Sequence, residues 1–324
     1  MAPHPPVRTS VVVPVRDEAA TIGASVASLR RQTLPPDEVI FVDGGSDDAT
    51  AATIEGLTAD EPRFRVIRAG TATPGRGRNV GIEQSAHEWV ALTDAGIVPD
   101  DHWLERLVRV VEHDPDLDIV YGTFEPDGRT FFERCAAIAY VQALRPSPSG
   151  PVRDGCVASS LLRKDAWRRA GGFPDLRAAE DGIFLRTLHR QGVRVACAPE
   201  ARVTWQLQPT LGATFARFRS YSRHNVIAGE QANWHHGVAR LYTAALVPVV
   251  AGAVHRRVWF ALPLAGGAAR IGRTLWRRRE GRGPWWALRP DRFALVGIIL
   301  AVIDVATFVG WAEAATAIRR QGRP

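Results

Sequence analysis

VVVPVRDEAATIGASVASLRRQTLPPDEVIFVDGGSDDAT, residues 11–50, holds two apolar β-branched runs, one amphipathic segment between them and a closing glycine turn. Residues 9–13, TSVVV, end at Pro14 and read as a buried strand, because a continuous run of valines keeps no polar face for water. Over residues 21–32, Ile22, Val26 and Leu29 recur at helical spacing. LPPDE breaks that pattern, and EVIFVD, ending at Asp43, reads as a second buried strand. GGSDDAT then turns the chain into another helix, with Asp47 or Asp48 as its N-cap.

The same alternation continues outward. RFRVIR (63–68) reads as a third strand and WVALTD (89–94) as a fourth, separated by a glycine- and arginine-rich loop, TPGRGRNVG (73–81), that runs into a helix toward Ser85. Strand and helix alternating over a hundred residues predict a parallel sheet covered on both faces. Ligands of such sheets sit outside the carboxyl ends of the strands. Two acids fall there, Asp43 and Asp94, and with an Arg/Gly loop between them they point to a polar ligand.

Beyond residue 117 the pattern is mixed. DIVYGTF (118–124) and CVASSLLR (156–163) read as strands, with a helix over 131–144 and the proline-rich loop RPSPSGP between them. KDAWRRAGGF is a short helix ended by Gly171 and Gly172. AAEDGIFLRTLHRQG is an amphipathic helix with Glu180 and Asp181 in its first turn, where carboxylates favour the positive end of the helix dipole. VRVACAP and ARVTWQL read as two short strands, and TFARFRSYSRH as an aromatic and arginine-bearing helix.

With 324 residues, 46% apolar and 23% charged, the chain suits one α/β domain plus an appendage, and a disordered or collagen-like chain is excluded. Charge divides unevenly. Residues 231–324 hold fourteen Arg, no Lys and four acids, while the first 230 residues carry a net charge of −3. The basic segment also holds six of the ten Trp, the composition of a membrane-facing surface. No nucleic-acid partner is expected, since the body has no basic stripe and the tail is too apolar. Cys135, Cys156 and Cys197 show neither metal spacing nor pairing and read as small buried hydrophobes.

Residues 1–8 read as a disordered amino terminus without a signal-peptide pattern, so the catalytic body is expected on the cytoplasmic side. An α/β domain over 9–230 and a membrane-associated helical region over 231–324 are the expected division. In the latter, residues 239–254 are apolar for about 16 positions, short of the roughly 20 that a spanning helix needs. Residues 293–318 are longer, with Asp304 near the middle, and an Arg- and Trp-rich loop lies between the two.

In their order, VVVPVRDEAATI, LPPDEVIFVDGGSDDAT, PGRGRNVGI, EWVALTDAG, AGGF and AED resemble the catalytic domain of glycosyltransferase family 2 over residues 9–205. The resemblance implies that the domain over 9–230 is a GT-A glycosyltransferase domain with the GT-A nucleotide-sugar fold, a mixed and mainly parallel sheet flanked by helices, here with a C-terminal hydrophobic helical tail. It implies a nucleotide-diphosphate sugar as donor, held by Pro14, Arg16, Glu18, Asp43, Arg76, Arg78, Asn79 and Asp94. It also implies a single inverting displacement, with Asp181 as the base that takes the acceptor's proton and Glu180 beside it.

The family's fourth motif is Asp-x-Asp, whose second acid binds a divalent cation (Mg or Mn). This chain reads TDAG, so Gly96 stands at that position and Asp94 is the one metal ligand left; Thr204 stands where a histidine is often found. Arginine is therefore expected to neutralise the diphosphate, through Arg76 and Arg78 and through Arg219 and Arg223 of FRSYSRH. The Gln-x-x-Arg-Trp of processive polymerases is absent from that segment, which favours transfer of one sugar to a lipid-linked or cell-envelope glycan acceptor. Two other readings compete with this one. A catalytically degenerate binding protein of the same fold would share every motif, whereas a nucleotidyltransferase would want a glycine-rich loop after the first strand, and PVRDEAAT has no glycine.

Overall fold

A computed structural model describes residues 6–147, 150–153, 156–232 and 234–321. Of the expected disordered terminus, residues 1–5 lie outside this range, and 6–8 run as coil into the first strand. The chain begins β1 (Thr9–Val15), α1 (Ile22–Arg30), β2 (Glu38–Asp43), α2 (Thr50–Leu57), β3 (Phe64–Arg68), α3 (Pro74–Gln84) and β4 (Trp89–Leu92). Then follow β5 (Ile97–Pro99), α4 (Trp103–His113), β6 (Ile119–Asp127), α5 (Phe131–Tyr140) and a 3-10 turn leading into β7 (Ser160–Arg163). Next come α6 (Lys164–Arg169), α7 (Glu180–Arg190), β8 (Val195–Gln206) and α8 (Leu211–Ile227). The last elements are α9 (His235–Val254), α10 (Ala261–Arg277), α11 (Pro284–Ala287) and α12 (Pro290–Gln321).

The strands form one sheet in the order β3-β2-β1-β4-β7-β6-β8-β5. β3, β2, β1 and β4 are parallel, while β7 joins β4 and β6 joins β7 antiparallel. The valine runs are continuous because both faces are covered. Val11, Val13 and Val15 of β1 and Phe41 of β2 meet Ile22, Val26 and Leu29 of α1 and Trp103 and Leu107 of α4. Val12, Ile40 and Val42 meet Ile82 of α3 and Phe184 and Leu188 of α7 on the other face. Each such fully buried side chain contributes about 1.5–3 kcal/mol.

Three local readings are corrected. The segment TPGRGRNVG is not a loop: Pro74 occupies the first helical turn, Thr73 Oγ1 accepts from the Arg76 N–H, and α3 begins there. Neither Asp47 nor Asp48 is the N-cap of α2; that position is Ala49, and the Asp48 carboxylate accepts from the Thr50 N–H (2.9 Å). VRVACAP and ARVTWQL form a single strand, β8, that continues through Pro199. Its core-facing residues switch from Ala196 and Ala198 to Ala201 and Val203, the slip in pleat expected of a bulge at a proline.

The chain divides into two compact units, one of residues up to 126 and 144–206, the other of 127–143 and 207 onward. The break therefore falls earlier than the expected residue 230, because α5 and α8 pack with the C-terminal helices. Within the second unit α12 packs along α8, α5 and α10. Gly310 lets the α8 backbone come close: a methyl there would overlap the Arg219 carbonyl oxygen. Ser222 Oγ of α8 donates to the Thr307 carbonyl (2.7 Å) and meets His235 Nε2 (2.8 Å). Asp304 is 1% exposed and is held by both guanidinium nitrogens of Arg270 and by the Tyr242 hydroxyl (3.0 Å). Among the described residues, two helices are long and apolar enough to cross a membrane, His235–Val254 and Pro290–Arg320.

α3 sits against the sheet through glycines. A Cβ on Gly81 would overlap Val12 Cγ1 and lie 3.0 Å from Val42 Cγ2, both core atoms. Gly81→Ala is expected to lower stability by about 1–3 kcal/mol through overpacking, measured as a shift in the urea midpoint.

Candidate active site

The parallel strands bring their carboxyl ends to one edge. Val15 of β1 lies in register with Asp43 of β2, and the Thr93 N–H donates to Val12 O, so Asp43 and Asp94 flank the end of β1. The loops after β1 and β2 are laced together there. Ser46 donates to Asp43 Oδ1 from its N–H (3.0 Å) and its hydroxyl (2.6 Å), and Ser46 Oγ accepts from the Asp17 N–H. The Asp47 N–H returns to Asp17 Oδ1 (2.8 Å), and the Glu18 N–H binds Thr50 Oγ1 (2.8 Å). Asp17 takes a left-handed backbone, φ 55°, to make this crossing.

Arg78 is the centre of the site. It is buried, and its two terminal nitrogens reach three carboxylates: Glu180 Oε1 (3.0 Å), Asp181 Oδ1 (2.8 Å) and Asp94 Oδ1 (2.7 Å). Its face lies 5.5 Å from the Phe173 ring, which stacks on Phe184. Burial opposes the guanidinium charge, but Asp181, Asp94 and Glu180 outweigh it and hold the group above its ordinary range. Asp181 moves the other way. Enclosure by protein pushes its carboxyl up to about 7, with the neighbouring Glu180 and Asp94 charges adding to this and Arg78 opposing. The side chain keeps 40% of its surface open, so it is recessed rather than sealed. Cys156 borders the same charges; burial, then Asp181 and Asp94, push its thiol up to about 12.

The geometry separates the remaining predicted residues. Pro14 lies under α3, where a Cβ on Gly77 would stand 3.3 Å from Pro14 Cβ. Arg16 Nε is buried without a hydrogen-bond partner among the described residues and lies 3.5 Å from Asp17 Oδ2. Arg76 is exposed on the first turn of α3. Asn79 does not turn toward the strand ends: its amide donates to Phe173 O (2.7 Å) and accepts from Phe173 N (2.8 Å) and Trp167 Nε1 (2.9 Å). It clamps the Gly171–Gly172 turn that carries Phe173. Arg219 and Arg223 are on α8 in the second unit, with Arg219 Nε 3.6 Å from Glu313.

Sequence reasoning missed what aims the α7 acids. Ala179 holds φ 71°, a left-handed conformation that a non-glycine residue rarely adopts, and it turns Glu180 and Asp181 toward Arg78. No glycine marks that turn in the sequence, where Arg177, Ala178 and Ala179 lead into Glu180.

The donor set does not fit a protein-held divalent cation. Among the described residues no three His, Cys, Asp or Glu side chains cluster as ligands, and Asp94 already accepts from Arg78. Gly96 has φ 77°, and a Cβ built there would point at Glu18, 3.8 Å from both carboxylate oxygens.

A mainly parallel sheet with laced loops and acids at its carboxyl edge defines an α/β fold of the nucleotide-sugar transferase class. Residues 10–169 match the family model described as glycosyl transferase family 2, and this stretch is a glycosyl transferase family 2 domain. It is 28% identical over 172 residues to glycosyltransferase AglE of Haloferax volcanii, covering 51% of this chain and 56% of that one. It is 23% identical over 203 residues to a poly-beta-1,6-N-acetyl-D-glucosamine synthase of Staphylococcus epidermidis, covering 60% and 49%. The chain thus spans about half the length of these relatives. A mannosyltransferase of Pyrobaculum calidifontis, solved in complex with GDP-Man and Mn2+, shares the GT-A fold at a TM-score of 0.60, with 19% identity over 93% of this chain and 87% of that one.

Removing Arg78 leaves three carboxylates facing one another. Arg78→Leu is expected to lower stability by about 3–5 kcal/mol, followed by tryptophan fluorescence in urea.

Proposed function

We propose that this protein transfers one sugar from a nucleotide-diphosphate sugar to a lipid-linked or cell-envelope glycan acceptor, by a single inverting displacement. The supporting observation is the gathering of Asp94, Glu180 and Asp181 around buried Arg78 at the sheet's carboxyl edge. Asp43, Arg16 and Glu18 line the same edge and suit a nucleoside, whose ring N–H and hydroxyl donors match carboxylate acceptors.

Asp181 is the base. Its carboxyl, raised to about 7, takes the acceptor's hydroxyl proton as the new C–O bond forms and the bond to the diphosphate breaks. Arg78 holds the carboxylate in place, and Glu180 orients the acceptor. One displacement inverts the anomeric centre. Arg78 is committed to carboxylates, so the diphosphate charge falls to Arg76 and Arg16; Arg219 and Arg223, expected from the sequence for the same role, lie on α8 in the second unit. The name of the staphylococcal relative supports a glycan acceptor. The two long apolar helices support membrane association, and we set the catalytic unit on the cytoplasmic side.

Asp181→Asn is expected to lower transfer by about 10²–10⁴-fold while nucleotide binding, followed by calorimetry, is retained. Near-normal turnover would refute the assignment. A base near 7 must lose its proton to act, so kcat/KM should rise about tenfold per pH unit below 7 and level off above it. Transfer should persist in EDTA; complete loss restored by manganese would overturn the arginine reading.

A further inference from the structure

The second unit carries two long apolar helices, and their surroundings differ. α12 is packed by protein on several sides. α8 runs along its carboxyl-terminal half, through Ser222 on Thr307, the close approach at Gly310 and Arg219 near Glu313. α10 lies along its amino-terminal half, where Ile271 touches Gly297 and Arg270 grips Asp304. A bilayer-crossing α12 would draw into hydrocarbon the arginines of α8, Arg217, Arg219 and Arg223, which lie on the helix packed against it. Before its last turns, its exposed large apolar residues Ile298, Val305 and Phe308 recur at spacings of seven and three, a stripe suited to rest on a surface, and Ile318 is exposed near its end.

α9 is the reverse case. Leu241, Leu246, Val247, Val250 and Val254 are exposed over most of its circumference, Val247 at 70%. A helix apolar nearly all round wants lipid. Yet its apolar run is bounded by Arg240 and by His255, Arg256 and Arg257, which leaves residues 241–254. At 1.5 Å per residue that run is about 21 Å long, short of the roughly 30 Å hydrocarbon core. Beside it, residues 270–292 hold eight Arg against Glu280 and Asp291. Arg279 lies 3.6 Å from the Trp276 ring centre and Arg292 4.2 Å from that of Trp286, and Trp285 is 81% exposed. Cationic side chains stacked on indoles beside an exposed tryptophan match an anionic headgroup layer.

We propose that the second unit seats the protein on one leaflet of an anionic bilayer without crossing it. α9 lies within the interface, the arginines and tryptophans of residues 273–292 stand at the headgroups, and α12 is a protein-packed spine. This rests on the membrane-associated reading above and commits it to a single-sided form.

Two measurements test it on the full-length chain. In vesicle sedimentation, binding to phosphatidylcholine containing roughly one-third phosphatidylglycerol should exceed binding to phosphatidylcholine alone by about tenfold or more. Replacing Arg277, Arg279 and Arg282 together by Gln should remove most of that preference; equal binding to both vesicles would overturn the anionic part. In sealed inside-out membrane vesicles, an impermeant maleimide should label cysteines introduced at Glu112, Arg256, Arg289 and Arg319 alike, above the unsubstituted chain. Labelling at Glu112 with protection at Arg256, Arg289 or Arg319 would show a crossing and refute the one-sided seat, leaving membrane association intact. A chain absent from the membrane fraction that binds neither vesicle would refute both readings.

Discussion

A single guanidinium holds the site together. Arg78 is fixed by α3, Asp94 follows β4, and Glu180 and Asp181 open α7, so three segments distant in sequence meet on one side chain. Their carboxylates repel one another in a recess where water screens poorly, and only a planar cation with several donors can answer all three. The backbone serves this meeting. Gly77 and Gly81 let α3 sit against β1, and Ala179 accepts a strained conformation to aim the acids. The raised Asp181 carboxyl follows first from its enclosure by protein, with the Glu180 and Asp94 charges adding to it against Arg78.

The sheet was legible because its physics is local. VVV and VIFV are buried on both faces, and such runs admit few alternatives to a covered parallel strand. Asp43 and Asp94 at the strand ends followed directly. GRGRN was harder to read, since its glycines argue for a loop and only Thr73 and Pro74 reveal the helix start. Asn79 was read as facing the ligand, but no local pattern shows that its amide pairs with Phe173, 94 residues away. Short strand β5 and the left-handed Ala179 depend on tertiary contacts in the same way and left little trace in composition.

The C-terminal helices show the limit of hydropathy as a guide. Asp304 looks like a costly acid in an apolar helix until Arg270 and Tyr242 are seen to meet it. Ser222, His235 and Thr307 form a second polar seam a turn further on. An apolar helix with polar residues matched to polar neighbours belongs to a folded helical assembly, whatever its average hydropathy suggests.

The turn at Gly96 also constrains how this sequence can change. Its left-handed backbone and the Glu18 carboxylate facing it mean that an aspartate returned to this position would set one anion against another, on a conformation that favours glycine. Glu18 is itself anchored through its N–H to Thr50 and through its carboxylate to Thr21. Introducing a two-acid motif therefore demands concerted change in the loops after β1 and β4. Position 96 acts as a latch between those loops, and single substitutions there meet both strain and like charge.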